Sequence, residues 1–205
     1  MSLDLTIESR TPVRHRDTGV FVRDGGMTRE LQTVEEVRQH FPDATDLGDI
    51  RITDYEDNCY FHLNMTHNLT EMASHVPIAG TEGHLSKPQE WRKPEDREQH
   101  PLTAYELLWH PELNPLLEQT TLHRRDDEDG TEWDVERTRL TPEYVRQTMA
   151  AYQYIAAHRE ELSQYNPSNG WGDYDGLLRN VQNLVQCLVG IPYDDYDQYL
   201  IDSDT

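Results

Sequence analysis

The chain has 205 residues, enough for one domain, and its 35% hydrophobic content supports a core that is thin for this length. Acidic residues outnumber basic ones 39 to 18, a net charge of −21, and Lys87 and Lys93 are the only lysines. With no basic stripe to meet phosphates, the balance argues against nucleic acid, and with no signal peptide, lipidation motif or long apolar run the chain reads as a cytoplasmic protein rather than a membrane one. Acid spread along the whole length with almost no lysine fits a high-salt cytoplasm, where a Debye length of about 3 Å softens self-repulsion. An extreme halophile or its virus is the expected source.

Residues 1–18 read as a polar, Arg-rich start. Residues 19–31 then place apolar β-formers on both sides of Asp24-Gly25, the pattern of a short hairpin. Thr33 as N-cap with Glu36 at the capping-box position predicts a helix carrying Val34, Val37 and Phe41, stopped by Pro42. Residues 50–63 read as a second strand pair, with Ile50 and Ile52 on one arm, Asp57-Asn58 as the turn, and Tyr60, Phe61 and Leu63 on the other. A helix is expected from Asn64–Thr66 onward, because Met65, Leu69, Met72, Ala73 and Val76 recur at helical spacing. Residues 77–104, rich in Pro, Gly, His and charge, read as a long loop, the kind that is usually functional or mobile. A short helix around Tyr105–Trp109 should end at His110-Pro111, with another helical turn within 112–119 and a hairpin around Asp126–Gly130. Thr141-Pro142-Glu143 opens a long helix to about Ser163. Asp173 caps a second one, in which Leu177, Leu178, Val181, Leu184, Val185 and Leu188 repeat every three or four residues. Two such helices joined by a short loop are expected to pack antiparallel. From Tyr193 on, an acidic tail is expected at the surface.

Together these elements predict a single α+β domain: a mainly helical core, small N-terminal β-hairpins and a C-terminal antiparallel helix hairpin. Cys59 and Cys187 could pair or stay free; sequence leaves that open.

Three constellations could carry chemistry. On the helix expected from Asn64, the side chains of Asn64, His67, Asn68, Glu71 and His75 share one arc, and His67, Glu71 and His75 are each four residues apart. Two imidazoles and a carboxylate suit a transition metal, but the spacing departs from His-Glu-x-x-His, and an ordinary solvated face is the default reading, with a polar ligand site as a further alternative. The loop Asn166-Pro167-Ser168-Asn169-Gly170-Trp171-Gly172-Asp173 sets an aromatic between two glycines. There Trp171 either plugs the helix pair or walls a pocket with Asn169 and Asp173. Asp127, Asp129, Gly130 and Glu136 fit four places of a calcium loop, but Arg125 and Glu132 occupy the wrong ones and no amphipathic helix precedes them, so an acidic turn suffices.

Asn64-x-Thr66-x-Asn68 with Met72, then Leu108-Trp109-His110-Pro111-Glu112, then Asn166–Gly176 occur in that order. Together they resemble a family of small uncharacterised proteins common in bacteriophages and prophages, over roughly residues 18–76 and 105–190. The resemblance implies a strand leading into an Asn-x-Thr-x-Asn helix, a Trp-x-Pro element and a helix–Asn-Gly-Trp-Gly–helix hairpin. It marks Asn64, Thr66, Asn68, Trp109, Asn169, Trp171 and Asp173 as family-typical, and suggests a viral or provirus origin. No activity or catalytic residue comes with it, and His110 stands where an arginine is common.

The expected function is therefore that of a binding protein without a cofactor, taking a small polar or nucleotide-like ligand through Asn64, Thr66, His67, Asn68, Trp109, Asn169, Trp171 and Asp173. Two alternatives stand beside it: an adaptor for a host protein, using residues 77–104 and Trp91, and a metal-dependent hydrolase built on His67, Glu71 and His75.

Overall fold

Leu3, Leu5 and Ile7 alternate with polar residues, and that period of two makes Ser2–Asp17 a strand, β1, with these three side chains fully buried. In the computed structural model, residues 2–24, 27–43, 53–78, 81, 102–111, 114, 117–125 and 130–204 are described. The remaining elements, in chain order, are strands β2 (Phe21–Asp24) and β3 (Met27–Glu30), helix α1 (Val34–His40) and strand β4 (Thr53–Thr66). A 3-10 turn (His67–Leu69) leads into α2 (Thr70–Ser74), followed by α3 (Ala104–Trp109), β5 (Glu118–Arg125) and β6 (Glu132–Arg139). Helices α4 (Pro142–Ala157), α5 (Arg159–Ser163) and α6 (Tyr174–Gly190), a 3-10 segment (Tyr193–Gln198) and β7 (Tyr199–Asp204) follow.

A five-stranded antiparallel sheet in the order β4-β1-β7-β6-β5 organises the molecule. β1 lies inside it, pairing with β4 from Ser2↔Thr66 to Asp17↔Thr53, and with β7 from Asp4↔Asp204 to Ser9↔Tyr199. Register slips between Glu8 and Val13, where β1 bulges against the stretch of β4 running from Cys59 to Asp57. The contact of β7 with β6 is brief, Thr138↔Ile201 and Arg139↔Leu200. One apolar core joins the sheet's Leu3, Leu5, Ile7, Leu63, Met65 and Ile201 to helical residues such as Trp109, Tyr144, Ile155, Leu177, Leu184 and Leu188. Within it the buried Tyr144 hydroxyl donates to the Leu107 carbonyl at 3.0 Å.

This architecture corrects the expected one. A mainly helical core closed by a C-terminal helix hairpin is not what forms; the sheet is the frame, and α4 and α6 pack on each other as part of the cover over its core. The polar N-terminal stretch is β1, because three alternating aliphatics outweigh the arginines that follow them. The acidic tail is β7, whose Leu200 and Ile201 are buried in the sheet among exposed aspartates. Asp57-Asn58 is not a turn but part of the unbroken β4. That strand also consumes Asn64 to Thr66, so the helix expected from Asn64 begins as a 3-10 turn at His67. The long helix to Ser163 breaks at His158, which caps α4 and leads into α5.

Elsewhere local chemistry set the elements as read. Thr33 caps α1 by accepting from the Glu36 N–H, and Thr141 and Asp173 cap α4 and α6; the short helix read around Tyr105–Trp109 is α3, which a Thr103–Glu106 capping box not read from the sequence opens. β2 pairs with β3 and β5 with β6 as antiparallel hairpins. Ile50, Ile52, most of 77–104 including Trp91, the acidic residues 126–129 and parts of 112–119 lie outside the described residues, and the readings placed on them with them. Cys59 and Cys187 are free and partly buried.

Candidate ligand-binding cleft

The loop from α5 to α6 is held by its own side chains. The Asn166 carbonyl oxygen accepts the Tyr174 N–H at 2.8 Å, Asn169 Oδ1 accepts the Trp171 N–H at 2.9 Å, and Asp173 Oδ1 accepts the Gly176 N–H at 2.7 Å. Tyr174 anchors the far end by donating its hydroxyl to the Ile155 carbonyl at 2.7 Å. Gly170 and Gly172 take φ of 71° and 88°, in the left-handed region that glycine tolerates. At Gly172 there is a second demand: a Cβ there would lie 2.8 Å from Thr66 Cγ2 and 3.1 Å from Leu69 Cδ2. The loop backbone therefore rests directly on the end of β4.

That end is equally fixed. Thr66 Oγ1 accepts from both the backbone N–H and the side-chain amide of Asn68, at 3.3 and 3.1 Å, capping the 3-10 turn. Asn64 Nδ2 donates to Asp4 Oδ1 at 2.7 Å, and the same carboxylate oxygen meets His62 Nε2 at 3.0 Å.

Between the two lies a cleft of about 850 Å³, within the size range of small-molecule sites. Ser2, Asn64, Met65, Thr66, Asn68 and Leu69 form one side, Asn169 to Asp173 with Gly176 and Asn180 another, and Arg23 and Thr28 of the β2–β3 hairpin a third. Arg23 and Asp173 are the only ionisable side chains among these lining residues.

Of the residues singled out from sequence, Asn64, Thr66, Asn68, Asn169, Trp171 and Asp173 line this cleft, while His67 and Trp109 do not. Trp109 is wholly buried in the core, stacked on Tyr105 at 5.9 Å, with its indole N–H unpartnered. His67 is half-buried with Nε2 unpartnered; burial is the chief cause holding its pKa below the ordinary value, and the neighbouring His110 adds to it. Trp171 is not a plug: it is 65% exposed at the rim. The trio His67, Glu71 and His75 is spread over the 3-10 turn, α2 and the C-cap of α2, with His75 stacked on Tyr165 at 3.9 Å. Among the described residues no group of three His, Cys, Asp or Glu side chains is placed to hold a metal ion.

Asn180 is one lining residue that sequence reasoning passed over. It is 3% exposed, and its Oδ1 has no hydrogen-bond partner among the described residues. A signal was present, since an amide interrupts the buried stripe of Leu177, Val181 and Leu184 on α6. Ser2, Arg23 and Thr28 carry no such mark; only the fold brings them here.

The chain matches no protein-family model, no curated protein and no solved structure. Among the described residues no helix is long and apolar enough to cross a membrane.

Proposed function

We propose that this protein binds a small polar ligand in the cleft between the end of β4 and the Trp171 loop. One observation carries the reading. Three stretches remote in sequence set amide, hydroxyl and charged side chains around a single concavity, with a large aromatic left exposed at its rim. Exposed tryptophan beside fixed polar groups is a recognition arrangement, because the ring supplies contact area and the amides supply direction. The motif resemblance brings no activity, so the reading rests on the cleft alone.

The test is thermal melting of the full chain against a panel of sugars, nucleotides and amines. A ligand at a hundred times its Kd should add about 2.7 kcal/mol, or roughly 5–10 °C for a chain of this size. Asn68→Ala and Trp171→Ala should each abolish that shift while melting near wild type on their own. If both variants simply unfold, the motifs serve the fold and the proposal fails.

A further inference from the structure

We infer that the ligand is a neutral, polyhydroxylated ring, a pyranose sugar seated against the face of Trp171; the inference rests on the cleft being a binding site.

Charge comes first. The cleft lining balances Arg23 against Asp173, within a protein of net charge −21. A phosphate-bearing ligand would gain one arginine but enter against the field of the whole molecule, and an ammonium would meet Asp173 but face Arg23. A neutral ligand meets neither opposition.

Hydrogen bonding narrows the class further. The bond to the Asp4 carboxylate, which can only accept, fixes the Asn64 amide nitrogen and leaves its carbonyl oxygen unspent. Asn68 likewise uses its nitrogen on Thr66. Asn169 does the reverse, spending its oxygen on the Trp171 N–H and keeping its NH2. Asp173 spends one oxygen on the α6 cap and keeps the other. The cleft thus offers oriented acceptors next to an oriented donor, and adjacent ring hydroxyls, each donor and acceptor at once, are the complement. Asn180 adds an independent sign: a polar side chain buried in the cleft wall whose carbonyl finds no donor among the described residues. The exposed Trp171 ring then offers a flat, electron-rich face for the C–H face of a pyranose, an apolar contact that a hydroxylated ring still provides.

Isothermal titration calorimetry of the full chain tests this with glucose, galactose, mannose and N-acetylglucosamine, and with AMP and agmatine as charged comparators, each at low and high salt. At least one sugar should bind, with an affinity that changes less than about twofold between the two salts, because a neutral ligand has no charge to screen. Trp171→Ala should weaken it by about tenfold or more. Asn180→Leu, similar in volume and free of the unpaired carbonyl, should weaken it while the protein still folds. Asp173→Asn keeps a competent N-cap and should also weaken it, whereas Glu160→Gln, an exposed acid on α5, should not. Salt-sensitive binding of AMP or agmatine with silent sugars overturns the sugar assignment and leaves the cleft as a binding site. Sugar binding indifferent to the Trp171 and Asp173 variants overturns both. No binding by any probe overturns the sugar assignment, and the metabolite panel then decides the site.

Discussion

Replacing Gly172 with alanine should be the most damaging conservative change in the cleft, and a matched control separates its two causes. Gly170 and Gly172 share positive φ, 71° and 88°, so alanine at either meets left-handed strain of about 1–2 kcal/mol. At Gly170 a new methyl finds nothing within 4 Å, so strain is the whole effect. At Gly172 the methyl would sit 2.8 Å from Thr66 Cγ2 and 3.1 Å from Leu69 Cγ and Cδ2, inside ordinary contact distance. Overpacking of that kind adds about 1–3 kcal/mol, which gives G172A a total loss of roughly 2–5 kcal/mol against roughly 1–2 kcal/mol for G170A. Urea unfolding of both variants reads the difference. Thr66→Ser keeps the capping hydroxyl and removes the offending methyl, so G172A and T66S should show favourable coupling in a double-mutant cycle, incomplete because Leu69 remains. Equal losses for G170A and G172A, or no coupling with T66S, would mean that the loop does not rest on the end of β4.

Trp109 and Trp171, both assigned to the ligand site from sequence, should behave as opposites. Trp171→Ala, at an exposed rim, should leave stability within about 0.5 kcal/mol, whereas Trp109→Ala should cost about 3–5 kcal/mol in the same urea measurement. His67 makes stability depend on pH. Its folded pKa lies below the ordinary 6.5, so its neutral ring contributes fully above that pH and the contribution is lost as pH falls through the folded value. His67→Gln should flatten that part of a stability–pH curve; an unchanged slope would show that the ring is not desolvated. Burial pushes the Cys187 thiol up to about 12 and raises Cys59 as well, so both should react with a thiol reagent far more slowly in the folded than in the urea-unfolded protein at about pH 8.

Helix caps were legible because they are decided within a few residues. Thr33 with Glu36, Thr141 with Pro142, and Asp173 all mark real helix starts. What failed was anything decided across the chain. β1 and β7 are alternating runs diluted by charge, and each becomes a strand only where distant partners supply its hydrogen bonds, β4 and β7 for β1, β1 and β6 for β7. The apolar spacing of Met65, Leu69 and Met72 suited a helix, but pairing of Ser2 and Leu3 with Thr66 and Met65 held the first of them in a strand. At the site, Asn64, Asn68, Asn169, Trp171 and Asp173 stood out as unusual residues at element ends. That they share one cleft depends on Gly172 meeting Thr66, a contact between residues more than a hundred positions apart.

The placing of β7 bears on how the molecule is made. Its six residues join β1 to β6, so without them the sheet is two separate antiparallel pairs, β4–β1 and β6–β5. On the ribosome each pair can form when its own strands have emerged, but the sheet cannot close until Tyr199–Asp204 follow. Until then β1 keeps one open edge, with Leu3, Leu5 and Ile7 short of their full cover. Closure is then a long-range event that waits for β7, and folding should be slow and single-stepped at that stage. Pulse-labelled nascent chains should gain protease resistance only after β7 leaves the exit tunnel.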